Sequence, residues 1–263
     1  MGRTSVVLVT AALLVAATPG GAVRAAPASG DLKAVVGAIK RQFAKKGSVR
    51  FSNKERSKDF TLGSDVCATR GVYRFAAPGV SASDSTEHCR DDSSRFRMIT
   101  IGRDSYTQSN RYSSLPKGKW SHRRDVDAFL RTDDLISGIN PRFLELVASR
   151  GSVAADGGAL DGVATTLHSG TVTVPEIGTK QTGTTFGLQE GRWTGGRITW
   201  RLWVGPDALP RRFHAVIVMG GSEDSGGSDR EDEATQTSNT LYTRWGAPVR
   251  ITPPSRSAVV EGP

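Results

Sequence analysis

Ser114 and Lys117 stand at the Ser-x-x-Lys spacing of the nucleophile in penicillin-recognising enzymes. That chemistry needs both side chains on one helical turn, with the amine beside the serine oxygen. Pro116 and Gly118 predict a turn instead, and no Lys-Thr-Gly follows. The four histidines, His88, His122, His168 and His214, fall in unrelated segments. His168 and His214 sit within strand-like runs and read as sheet-surface residues. There is no Gly-x-Ser-x-Gly elbow and no His-Glu-x-x-His pair. No catalytic residue is assigned, and no cofactor is called for.

Metal chemistry is no better supplied. Glu223, Asp224, Asp229, Glu231, Asp232 and Glu233 crowd one Gly- and Ser-rich stretch over 220–238, but their spacing matches no calcium loop. A solvated hairpin loop is the expectation there. The two cysteines, Cys67 and Cys89, have only His88 nearby as a further ligand, so no metal site is assigned. In an oxidising compartment an isolated pair forms a disulfide. Closing a loop of about 20 residues contributes on the order of 3 kcal/mol.

The N-terminus supplies that compartment. Arg3 precedes an apolar run over 6–17, and small residues surround Ala25 and Ala28. This is the layout of a secretory signal peptide over 1–25, cleaved after Ala25 or Ala28. The run is well short of the roughly 20 residues that span a bilayer. No cysteine follows it, so lipid attachment there is not expected. The protein is expected in the extracytoplasmic envelope or secreted. Of the 263 residues, those after the leader suffice for one domain over 26–263 with a sizeable core. The formal charge of +9 favours anionic lipid headgroups or wall polymers as neighbours, although solubility alone accounts for it equally well. No basic run is interleaved with aromatics, which argues against nucleic acid.

The elements follow from periodicity. Leu32, Val35, Val36, Ile39 and Phe43 form one apolar stripe and predict a helix over 31–46, capped by Asp31 and leaving at Gly47. Asn140 and Pro141 open a second helix over 141–149 with Phe143, Leu144, Leu146 and Val147 on one side. Strands are expected around Val49–Phe51, Val72–Phe75, Phe96–Ile101, Ala164–Val174, Ile198–Val204 and Phe213–Met219. The last two carry apolar residues on both faces, so one face covers a core and the other lines a cavity or lies under a helix. After Tyr242 the chain is expected to leave as a Pro-fixed extended tail.

Several segments in order resemble the LppX/LprA/LprF/LprG family of actinobacterial envelope lipoproteins. They are Leu115–Trp120, Asn140–Pro141 before Leu144, Asp161–His168, Trp203–Arg212 and Tyr242–Pro254. Together they span roughly residues 31–258. The sequence departs from the family in three places: the lipobox cysteine is missing, Gly205 stands where an acidic residue is frequent, and the acidic loop looks inserted.

The resemblance implies an α+β, LolA-like half-barrel, a strongly curved antiparallel sheet wrapped around helices. Between them an apolar cavity would hold acyl chains. The expected lining is Val36, Ile39 and Phe43 from the first helix with Ile198, Trp200, Leu202, Phe213, Ala215 and Ile217 from the last two strands. The opposite register would present Trp203, Val216 and Val218. An Asp at Ala215 is expected to abolish acyl binding and leave the secondary structure intact. The implied function is a non-enzymatic protein that carries or senses a lipid or other apolar ligand. The alternative is a protein-binding sensor or regulatory module of the envelope with no transported ligand.

Overall fold

A computed structural model describes residues 31–59, 63–77, 79–90, 95–110, 115–124, 136–173, 176, 195–220 and 234–261. The leader, Ser114 and residues 221–233 of the acidic stretch lie outside the described residues.

Twelve strands form one large, curved, unclosed sheet. They are β1 (Ser48–Asp59), β2 (Gly63–Ala76), β3 (Gly79–Cys89), β4 (Arg95–Ile101), β5 (Asp104–Ser109), β6 (Trp120–Arg123), β7 (Val153–Leu160), β8 (Val163–Thr173), β9 (Gly195–Val204), β10 (Pro210–Gly220), β11 (Ala234–Thr243) and β12 (Val259–Glu261). The spatial order is β12-β6-β5-β4-β3-β2-β1-β11-β10-β9-β8-β7. Every pair is antiparallel except β12 with β6, which is parallel, so the sheet is mixed rather than purely antiparallel.

Among the described residues two helices, α1 (Leu32–Ala44) and α2 (Pro141–Ser149), pack on one face, the inner face. "Wrapped around helices" overstates their share. They are short, and a sheet of twelve strands extends well beyond what two such rods can cover. Asp31 caps α1 by accepting from the Lys33 N–H at 2.8 Å. Asn140 caps α2 by accepting from the amides of Arg142 and Phe143, and Pro141 occupies the first turn. At the end of α1 it is Lys46, with φ 53°, that takes the left-handed conformation, not Gly47.

The inner face is readable from the registers, because antiparallel partners share a side. Val49 and Tyr73, Phe51 and Tyr242, Phe213 and Leu202, Ala215 and Trp200, and Ile217 and Ile198 are paired in this way. All are buried against Leu32, Val35, Ile39 and Phe43 of α1 and Phe143, Leu144 and Val147 of α2. Phe143 meets Trp200 and Phe213 edge-on, with centroids 6.4 and 5.9 Å apart. On the outer face Trp203 and Val216 are half-buried, and the Arg212 guanidinium lies 4.8 Å above the Trp203 ring. On this second face Arg212 thus shields Trp203, while Val216 lies between Thr199 and Thr237.

Two further expectations change. Residues 234–238, assigned to the acidic loop, are the start of β11. The tail does not leave the molecule. Trp245 donates to the Pro210 carbonyl at 2.9 Å and packs on Phe75 and Tyr242. The Ser48 hydroxyl donates to the Ala247 carbonyl. Residues Val249 and Ile251 then join Ala82, Ile99 and Trp120 in a second apolar cluster on the outer face. After a 3-10 turn at Arg256–Ala258, β12 closes the strap against β6.

His122 fastens that strap. Its Nδ1 lies 3.0 Å from the Glu261 carboxylate, its Nε2 lies 2.9 Å from Asp104, and its ring stacks on Tyr106. The Asp104 contact, with help from Glu261, raises the His122 pKa above 6.5 against the opposing effect of burial. Both ring nitrogens donate only in the imidazolium; neutral histidine turns one lone pair toward a carboxylate. A raised folded-state pKa gives a contribution that is complete below 6.5 and lost as pH rises through the folded value. Subtracting the melting temperature of His122→Gln from that of the native chain should therefore give a positive difference at acidic pH that shrinks on going alkaline. A difference that grows with pH would contradict the clamp.

Candidate ligand-binding interior

All nine side chains expected to line a cavity face inward. Val36, Ile39 and Phe43 on α1 oppose Ile198, Trp200, Leu202, Phe213, Ala215 and Ile217, each no more than 6 % exposed. The inward register is the one containing Trp200 and Ala215; Trp203, Val216 and Val218 are on the other side. These nine belong to a single packed cluster with α2 and β1, β2 and β11.

On the inner side of the sheet several polar atoms are buried with no hydrogen-bond partner among the described residues. Both ring nitrogens of His168, Nε1 of Trp200, Oγ1 of Thr100 and Oγ of Ser105 are in this state. Registers place all four residues on the inner face. Leu202 pairs with His168 across β8 and β9, and Thr100 pairs with Ser105 across β4 and β5. His168 is completely buried, which corrects its expected place on the sheet surface. Burial drives its pKa below 6.5, only partly offset by the Asp31 carboxylate at the start of α1, so the ring is neutral and offers one donor and one acceptor.

The ring of Trp200 sits against Gly170, where an added Cβ would approach it to 2.9 Å. A larger residue at 170 would displace the indole from its place beside α2. His168 pairs with Leu202 and Gly170 with Trp200, so His168 and Trp200 are diagonal neighbours on the inner face. Sequence reasoning named Trp200 but missed His168, Thr100 and Ser105. The available signal was the alternation Thr166, His168, Gly170, Val172, which puts His168 in phase with a buried valine.

The other histidines are elsewhere. His88 is exposed on the outer face, His214 is on the outer face with its pKa lowered by burial and by Arg212 and Arg201, and His122 is engaged by two carboxylates. Cys67 and Cys89 are directly opposite across β2 and β3 and are joined by a disulfide. Among the described residues, a three-member group with metal-ligand spacing is formed by Asp65 with these cysteines, whose sulfurs are already bonded to each other.

This arrangement defines an α+β protein whose open, curved sheet packs an apolar inner face against two short helices, with a few donors unmatched among the described residues. No family model matches the chain, and no curated protein is similar to it. Among solved structures, similarity is found to LprF from Mycobacterium bovis, with 16% identity over 85% of this chain and 97% of that one and a TM-score of 0.42. A LolA superfamily protein from Nitrosomonas europaea is 10% identical over 85% and 95% of the two chains, with a TM-score of 0.31. A putative outer membrane lipoprotein-sorting protein domain from Vibrio parahaemolyticus is 9% identical over 82% and 91%, with a TM-score of 0.25. Overlap this loose leaves the function to be argued from the chain's own residues.

Proposed function

We propose that this is an exported, non-enzymatic envelope protein of the LppX/LprA/LprF/LprG kind, with a LolA-like fold in one domain after a cleaved leader. It carries or senses a lipid or other apolar ligand held between the inner face and the two helices. One observation carries the reading: the polar side-chain atoms of His168, Trp200, Thr100 and Ser105, buried without partners among the described residues, all lie on the inner side of the sheet, at β8–β9 and at β4–β5. Buried polar groups are almost always satisfied, and an orphaned one costs about 1–3 kcal/mol. Hydroxyl, indole and imidazole donors in an apolar setting suit ester carbonyls on acyl chains. Each methylene entering the same interior adds about 0.8 kcal/mol before ordering costs. The ordered set of sequence motifs supports the same reading.

The test is native mass spectrometry of protein from its own host, followed by organic extraction, with binding of a fluorescent fatty-acyl ester measured in parallel. His168→Leu removes both orphaned nitrogens and keeps the side chain apolar. It should weaken ester binding while raising the unliganded melting temperature by roughly 2–8 °C, in line with relief of about 1–2 kcal/mol. Failure of the native protein to bind the probe or to copurify with lipid defeats the reading. So does a His168→Leu variant that binds as well as the native chain.

A further inference from the structure

The outer face carries a second site of opposite character. Antiparallel registers align two rows of side chains across strands β1 to β5. One row runs Lys54, Ala68, His88, Arg95, and the next runs Ser52, Arg70, Thr86, Arg97, Gln108. Long cations alternate with Ala68, Ser52 and Thr86, which are too short to fill the space between them. The result is a pair of depressions. One, of about 520 Å³, is lined by residues including Ser52, Ala68, Arg70, Thr86, His88 and Arg95. The other, of about 550 Å³, is lined by residues including Arg95, Arg97, Gln108, Asn110, Lys117 and Lys119. They meet at Arg95.

Among the described residues, no carboxylate lines either depression. Asp84, which lies in the neighbouring row, is held by two hydrogen bonds from Arg97 at 3.1 and 2.9 Å. Arg70, Arg95 and Lys117 are exposed. Adjacent strands are about 4.8 Å apart, so the path from β1 to β5 is roughly 19 Å long and perpendicular to the strands. Arg70 and Arg97, two strands apart in one row, are separated by about 10 Å, and Arg95 lies about 7 Å from Arg97 along one strand and so about 12 Å from Arg70.

We propose that this groove binds a linear polyanion of phosphate repeats laid across β1 to β5. Arg70 and Arg95 present planar forks that match phosphate oxygens, and Lys117 adds a point charge at the far end; the Arg97 fork is taken by Asp84, and Lys119 Nζ donates to the Ser257 carbonyl at 2.6 Å. Ser52, Thr86, Gln108 and Asn110 supply neutral donors between them. An open trench with charges at successive intervals fits an extended chain better than a flat headgroup layer.

The experiment is fluorescence anisotropy of labelled linear polyphosphate with the disulfide-bonded protein, titrated at several salt concentrations. Arg95→Glu and Arg70→Glu should each weaken binding by roughly tenfold to a hundredfold, because each removes a charge-assisted contact and adds repulsion. Lys33→Glu makes the same change of net charge on α1, on the opposite side of the sheet, and should have little effect. Binding of the acyl probe should be unchanged in all three, which separates this site from the interior. An equal loss in Lys33→Glu would reduce the attraction to net charge and overturn the groove. Tighter binding to phosphatidylglycerol vesicles, polyglutamate or a single-stranded oligonucleotide than to polyphosphate would overturn the assigned chemistry.

Discussion

Ala215→Asp should unfold the domain at temperatures where the native chain is stable. Ala215 is 1% exposed at the centre of β10, between Trp200 on β9 and Ser238 on β11, inside the cluster beneath the helices. A carboxylate there loses its hydration and meets mostly hydrocarbon, at a cost of about 3–5 kcal/mol for an uncompensated buried charge. The substitution is therefore not expected to spare the secondary structure, because the position is part of the packed core. Val216→Asp, one residue on and facing outward, should cost only about 1 kcal/mol. Burial raises the folded-state pKa of the new carboxyl, so the deficit relative to the native chain should be largest at neutral pH and shrink as pH falls toward about 4. Paired thermal melts measure both effects. Equal destabilisation by the two substitutions would mean that the inward register is wrong.

Removing the disulfide should be nearly as damaging. Cys67 and Cys89 tie β2 to β3 at the end far from their connecting turn, where the inward residues include Ser85 and Glu87 and little apolar surface is available. Closure of the loop contributes on the order of 3 kcal/mol, so the double serine variant should melt roughly 6–12 °C lower. Hydrogen exchange should quicken first over 65–69 and 86–89, and only later in the helix-covered core. An unchanged melting temperature would show that the bridge holds nothing that the sheet does not hold already.

Helices and apolar strands were legible because burial imposes a period. The stripe from Leu32 to Phe43 predicted 31–46 and the helix is Leu32–Ala44; the second helix matches its expected span, 141–149. Alternation in 198–204 and 213–219 located β9 and β10 but left the inward side open, since Trp203, Val216 and Val218 mimic a core face. Arg212 over Trp203 is the reason: a long cation can shield an aromatic ring that faces solvent. β3 was illegible for the opposite cause. Its inward residues Ser83, Ser85 and Glu87 carry no hydrophobic signal, and its order comes from neighbours on both sides and from Cys89. β12 and the strap were hidden because their partner, β6, is remote in the chain. His168 was misplaced because a histidine in a strand is usually at the surface; here Val172 in the same phase outweighs it. Gly205, a departure from the resembling family, sits in the β9–β10 turn beside an Asp207–Arg211 pair at 2.7 Å, which supplies the turn's own acid.

The strap has a bearing on the order in which this chain can mature. A protein that emerges from its N-terminus first assembles β2 to β6 long before residues 249–261 exist to meet them; Glu261 and His122 are 139 positions apart. Until then Ala82, Ile99 and Trp120 are uncovered on the outer face, and β6 ends the sheet with unpaired backbone groups. Such an edge is a template for pairing with another chain. The last stretch to arrive thus works as the molecule's own chaperone, and a stalled or clipped chain lacking it should aggregate although its helix-covered core is intact.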